Sequence, residues 1–323
     1  MMLGRDSLNV LGVCGLALLA ASLRADAREP KSGGKPSFQI EIQDRHGSDV
    51  ADSGKPDAKA SSAALAFERE YQPGDTIVVK GPSPMVVRVD DWIPECVVYL
   101  SKAASFSFEI PYGPGEGATR SPFLPDSFAG SSHRVTVREL TTQERSGYRN
   151  LAMNACDAEI QPPPVEGTAA AKQTLIFPHA STNSVSRLLP DFRARNAIDG
   201  MTLNGHHGIW PYQSWGPELR TDLWWKVDFG RAVEVDKIRL MIRSDFPHDS
   251  YWKSAVLEFS DGDPVPVQIR ESGEFQEFTF PKRKVLWVRL NQLVPADPAR
   301  WCALMEAEVW GRDVASQPSG PSR

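Results

Sequence analysis

Residues 225–242 read Trp-Lys-Val-Asp-Phe-Gly-Arg-Ala-Val-Glu-Val-Asp-Lys-Ile-Arg-Leu-Met-Ile. Trp225, Val227 and Phe229 alternate with Lys226 and Asp228 until Gly230. Ile238, Leu240 and Ile242 then alternate with Lys237, Arg239 and Met241. Successive side chains of an extended chain point to opposite faces, so a period of two marks a strand with one face on a core. The stretch predicts a hairpin, with Gly230 ending one strand and Val235-Asp236-Lys237 leading into its partner after a short turn.

Outward from there the same period recurs. Leu257 and Phe259, Phe278 and Phe280, then 285–290 and 305–310 supply further short strands, and no helix-length amphipathic period interrupts them. In the first half, Phe106, Phe108 and Ile110 alternate with Ser105, Ser107 and Glu109. Strands are also expected at 75–80, 85–89, 95–100 and around Val135 and Val137, punctuated by Pro73-Gly74, Gly81-Pro82 and Pro94. Residues 46–62 and 112–132 are polar or rich in Gly, Pro and Ser and read as long loops, with 145–153 a short helical or irregular return. The expected fold class is all-β, two tandem β-sandwich domains. The first spans 38–160 and is taken as a jelly roll on pattern alone. A linker at 161–173 contains Gln161-Pro162-Pro163-Pro164, the second sandwich spans 174–313, and 314–323 form a disordered tail.

The first residues carry a different signal. Residues 8–23 are almost uncharged and rich in Leu and Ala, with Arg5 before them and Ala25-Asp26-Ala27 after, so 1–27 read as a signal peptide and 28–37 as a flexible leader. Val13 before Cys14 and the apolar sequence after it disfavour lipid anchoring there. The apolar run is shorter than the roughly 20 residues of a bilayer-spanning helix, and no transmembrane segment is expected elsewhere. The implied location is secreted or periplasmic. A net charge of −5, with no basic patch interleaved with aromatics, argues against nucleic acid as a partner. Cys96 and Cys156 form a disulfide on one reading; on the other, slightly favoured, they and Cys302 are three buried thiols, since three widely spaced cysteines make no framework.

Four pieces in order carry a resemblance: Ala197-Ile198-Asp199-Gly200, 225–230, 235–240 and Glu306-Ala307-Glu308-Val309-Trp310-Gly311. Over residues 175–312 or thereabouts, the second half resembles the discoidin-like (coagulation factor 5/8 C-terminal type) module of the galactose-binding jelly-roll superfamily. The resemblance implies a structural calcium held by Asp199 and Glu306. Calcium takes about six to eight oxygens, so carbonyls near Thr202 and Ala307 would have to contribute. The alternative is a turn aspartate and a surface glutamate.

The resemblance also places two loops at one end of the sandwich, 206–215 and 243–252, which concentrate aromatic, imidazole and charged residues. Sugar recognition needs an apolar ring face and planar polar groups. Trp210, Tyr212 or Trp252 is expected to give the stacking platform, and Arg243, Asp245, His248 and Asp249 the hydrogen bonds. Alternatively these tryptophans plug the sandwich end and the charges form a structural network. A metal site from His206, His207, His248 and Asp249 is disfavoured, because adjacent histidines seldom face one ion.

The expected function is an exported, non-catalytic carbohydrate-binding protein whose partner is a glycan or cell-surface polysaccharide. The alternative is an adhesion or assembly module with a protein or cell-envelope partner. A glycoside hydrolase using Asp245 and Asp249 ranks below both, since no catalytic constellation accompanies the sandwich. Asp90, Asp91, Trp92, Tyr99, Tyr112 and His133 in the first half belong to no motif with assignable chemistry.

Overall fold

The two alternating runs at 225–229 and 237–242 fall in one nineteen-residue strand, where two strands were expected. A computed structural model describes residues 38–51, 61–100, 105–110, 123–124, 126–157, 176–202, 214–244 and 249–314, all within a single compact unit. The signal peptide, the leader, the 161–173 linker, Trp210, Tyr212, Asp245, His248 and nearly all of the tail lie outside the described residues.

The first half supplies β1 (Gln39–Gln43), β2 (Ser62–Glu68), β3 (Thr76–Lys80), β4 (Met85–Arg88), β5 (Cys96–Leu100), β6 (Ser105–Glu109) and β7 (Ser132–Glu139). A short helix α1 (Thr142–Ser146) follows, opened by a capping box in which the Thr141 side chain accepts from the Glu144 amide and the Glu144 carboxylate accepts from the Thr141 amide. Then comes the two-residue β8 (Arg149–Asn150). The second half supplies β9 (Ile176–Phe177), β10 (His179–Thr182), three 3-10 turns between Ser186 and Ala197, β11 (Trp225–Arg243), β12 (Trp252–Phe259), β13 (Val265–Gln268), β14 (Gln276–Pro295) and β15 (Ala303–Asp313).

All pairings between these strands are antiparallel. One sheet has the order β1-β3-β6, a second β2-β7-β4-β5-β9, and a third β13-β12-β14-β11-β15-β8 with β10 also on β11. The all-β expectation therefore holds.

The predicted hairpin does not form. Trp225–Asp228 pair with Leu290–Trp287, and Val233–Leu240 continue along the same partner from Val285 to Gln276, with register shifts after Asp228 and Val235. Gly230 (φ 64°) serves an irregularity within a continuous strand, where it marked a strand end in the sequence reading. A Cβ there would lie 2.3 Å from the Phe177 ring, so both the backbone and its neighbour require glycine. The separate strands expected at 278–280 and 285–290 are likewise parts of β14.

The buried side chains form two clusters. The larger is built on Trp225, Val227, Phe229, Ile238, Leu240, Trp252, Leu290 and Val309, the smaller on Phe38, Ile42, Ile77, Val87, Phe106 and Val137. Their membership does not follow one cut in the sequence. Leu151 and Ala152 belong to the larger cluster and Ile176 to the smaller. Correspondingly β8 adds to β15 of the late sheet, and β9 adds to β5 of the early one.

Candidate functional site

One end of the late sheet is organised by paired tryptophans. Trp215, at the close of the first predicted loop, exchanges backbone hydrogen bonds with Leu304 of β15 (2.8 and 2.9 Å), and its indole N–H donates to the Ser184 carbonyl. Trp252, at the start of β12, stacks on it with ring centroids 5.5 Å apart. The two predicted loops thus converge at their bases. The consequence for Trp252 is a correction: it is 1% exposed, a core residue with no face for a sugar ring. Its apolar area and a stacking partner drew it inward.

Arg243 and Asp249 are also brought together, Nε to Oδ2 at 3.5 Å, and both are nearly enclosed. They tie the start of the 243–252 loop to its return. As hydrogen-bond donor and acceptor offered to a ligand they are corrected too, because both side chains are nearly enclosed. The loop that closes over them is 296–302. Asp249 bridges to Trp301, the Ser250 amide donates to the Trp301 carbonyl at 2.6 Å, and the Ala296 amide donates to the Tyr251 carbonyl at 2.8 Å.

Trp301 itself is 36% exposed, the only tryptophan with that much open surface among the described residues of the second half. Its neighbours Arg300 and Cys302 line an open groove whose other wall is Pro217, Glu218, Leu219, Arg220 and Thr221, with Pro295 and Pro298 beside Arg300. Arg220 is held against Asp222 through two contacts (2.8 and 2.5 Å), and Arg300 against Asp297 at 3.2 Å. Both ion pairs are solvent-exposed, and Leu223 and Trp252 are also among the residues that line the groove.

Beside this end, Asp199 and Glu306 meet. Both are fully buried, and the Met201 amide donates to Asp199 Oδ1 at 2.9 Å, the local bond that shapes an Asp-Gly turn with Gly200 at φ 79°. Burial pushes the Glu306 carboxyl well above the usual range, the nearby Asp199 charge adds to that, and a bond from the Gly200 amide opposes it. Glu306 Oε2 has no hydrogen-bond partner among the described residues. Two enclosed carboxylates, one with an unsatisfied oxygen, fit a hard cation, which would cancel their repulsion. They are two ligands only: no group of three or more His, Cys, Asp or Glu positioned for a metal occurs among the described residues.

No protein-family model matches this sequence, and no curated protein does. Solved structures do. The chain is similar to chitosan-binding module 1 from a chitosanase/glucanase of Paenibacillus sp. IK-5, at 21% identity over 50% of this chain and 98% of that one, with a TM-score of 0.33. It is similar to the family 32 carbohydrate-binding module of C. perfringens NanJ in complex with galactose, at 16% identity over 41% and 91%, with a TM-score of 0.32. It is also similar to the lectin domain of lectinolysin complexed with Lewis b antigen, at 19% identity over 43% and 94%, with a TM-score of 0.34.

Sequence reasoning missed Trp301 and the 217–221 wall. Pro298-Ala299-Arg300-Trp301 between two strands was a usable signal, an aromatic beside an arginine in a proline-bearing loop, but one indole among nine gave no sign of which would stay exposed. In the first half the singled-out residues are mostly structural. Asp90 accepts the amides of Trp92 and Phe128, and His133 packs on Tyr71 with ring centroids 4.2 Å apart, while Trp92 stays 57% exposed.

Proposed function

We propose that this chain is an exported, non-catalytic carbohydrate-binding protein that holds a glycan at the end of its second sandwich. Trp301 is the stacking platform in this reading, and Arg300 and Arg220 are the hydroxyl-binding groups. The observation that carries it is the exposed indole of Trp301, which stands in sequence between Arg300 and Cys302, two residues of a groove also lined by Arg220. A sugar has apolar C–H faces and pairs of hydroxyls, and an aromatic ring and planar guanidinium donors complement the two. The discoidin-like resemblance of the second half supports the same end of the sandwich.

Calcium, where bound, sits between Asp199 and Glu306 in this proposal and has a structural role. It fastens the turn at Asp199 to β15, two residues from where Leu304 fastens Trp215. It would therefore brace both ends of the segment between Asp199 and Trp215. A hydrolase reading gains no support from Asp249, which is turned into its ion pair with Arg243.

The test is a glycan array with the full chain, followed by titration of the best binder monitored by tryptophan fluorescence. Trp301→Ala is expected to weaken binding about tenfold or more, roughly 1.4 kcal/mol, without lowering the unfolding midpoint. Binding to an array glycan that is untouched by Trp301→Ala and by Arg300→Ala together would overturn this site.

A further inference from the structure

Cys96 and Cys156 stand apart from the glycan-binding end. Both are fully buried, and their sulfurs are 3.5 Å apart although sixty residues separate them in sequence. Cys96 opens β5, and Cys156 lies in the segment after β8; both side chains pack in the smaller buried cluster. That segment, 154–157, is bonded almost wholly to the second half. The Asn154 amide donates to the Ile198 carbonyl (2.7 Å) and the Asn154 side chain to the Pro178 carbonyl (2.7 Å). The Ala155 carbonyl accepts from Arg195 (2.9 Å), and Asp157 accepts from the Ala180 amide and pairs with His179 (both 2.7 Å). Asn154 Oδ1 in turn accepts from the Cys156 amide at 3.0 Å and faces Cys96 Sγ at 3.6 Å.

We propose that Cys96 and Cys156 are a disulfide-forming pair that pins the first sandwich to this crossing segment and so fastens the joint between the two halves. The sulfurs need to close to about 2.05 Å, a movement of the two side chains within one packed pocket. Since both are enclosed once folded, the bond forms during folding. One thiolate attacks the disulfide of an oxidising dithiol catalyst or of oxidised glutathione and expels one thiol of that oxidant. The second cysteine thiolate then attacks the mixed disulfide and expels the other. Two cysteine thiols lose two protons and two electrons, and the oxidant's disulfide becomes two thiols. In the folded protein, hydrogen bonds from the Cys156 thiol and from backbone amides hold Cys96 below the ordinary thiol range. Cys302 packs in the larger buried cluster, apart from the cluster of Cys96 and Cys156, and burial pushes its thiol up to about 12.

The experiment is to refold the full chain in a buffer of reduced and oxidised glutathione, denature it under acid quench, alkylate it without reductant and map the peptides by mass spectrometry. The expected result is a linked pair of peptides containing Cys96 and Cys156, with Cys302 alkylated. Full alkylation of Cys96 and Cys156, or linkage of either to Cys302, overturns the proposal. The tether is read separately from the wild-type protein. Its thermal midpoint should fall on reduction, and that reductant dependence should vanish in Cys156→Ser. Equal midpoints for oxidised and reduced protein would refute the fastening role.

Discussion

At the scale of single residues, two tryptophans and one glutamate have divergent roles although the sequence presents them alike. Trp252 fills the core against Trp215, so Trp252→Ala leaves a large cavity and is expected to cost about 3–5 kcal/mol of stability by denaturant unfolding. Trp301→Ala, at an exposed loop, should leave that curve unchanged. If both variants unfold at the wild-type midpoint, the core position of Trp252 is wrong.

Glu306 offers a pH test. Its folded-state carboxyl titrates above its ordinary 4.5, so without a cation its contribution to stability is complete below that value and is lost as pH rises towards the raised one. In chelator, Glu306→Gln should therefore be more stable than wild type at neutral pH and equal to it at low pH. Calcium should raise the wild-type midpoint and leave the variant's unmoved. A variant less stable than wild type in chelator at neutral pH would contradict this account.

At the scale of elements, β11 explains the failure of the hairpin reading. A glycine between two alternating runs signals a turn, and it equally signals an irregularity in a long strand. The choice depends on whether the two runs pair with each other or with a third strand, and β14 is long enough to pair with both. Gly230→Ala is the variant that tests this strand. Placing a Cβ at φ 64° costs about 1–2 kcal/mol from the backbone alone, and the clash with Phe177 adds to it. Because Phe177 belongs to β9 on the early sheet, the substitution should also raise amide exchange in β5, measured by mass spectrometry.

For the whole molecule, the decisive feature is that the two halves share edges. Beyond β8 and β9, Asp313 at the end of β15 accepts Tyr99 from β5 and Arg149 from β8, each at 2.7 Å. It also accepts Arg231 from β11 at 2.7 Å, and the Arg231 guanidinium lies 3.4 Å over the Tyr99 ring. One carboxylate thus compensates two mostly buried cations. Asp313→Ala leaves them uncompensated, at a cost of about 3–5 kcal/mol. Calorimetry should show one transition for the wild type and two for the variant. A wild type with two well-separated transitions would mean that the halves are not coupled.

Much was legible before any coordinates. The period-two runs at 105–110, 225–229 and 237–242 identify strands and their buried faces, since alternation records which side of a strand meets apolar neighbours. That Asp199 and Glu306 lie buried near one another is written in no local pattern of the sequence. What the sequence by itself determined was the class of structure and the strand faces. Only the tertiary structure decided which indole is enclosed and which is open, that Arg243 and Asp249 are enclosed side by side, and that each half lends an edge to the other. Periodicity is a property of neighbours along the chain, whereas exposure, ion pairing and edge exchange depend on residues distant in sequence that folding alone brings together.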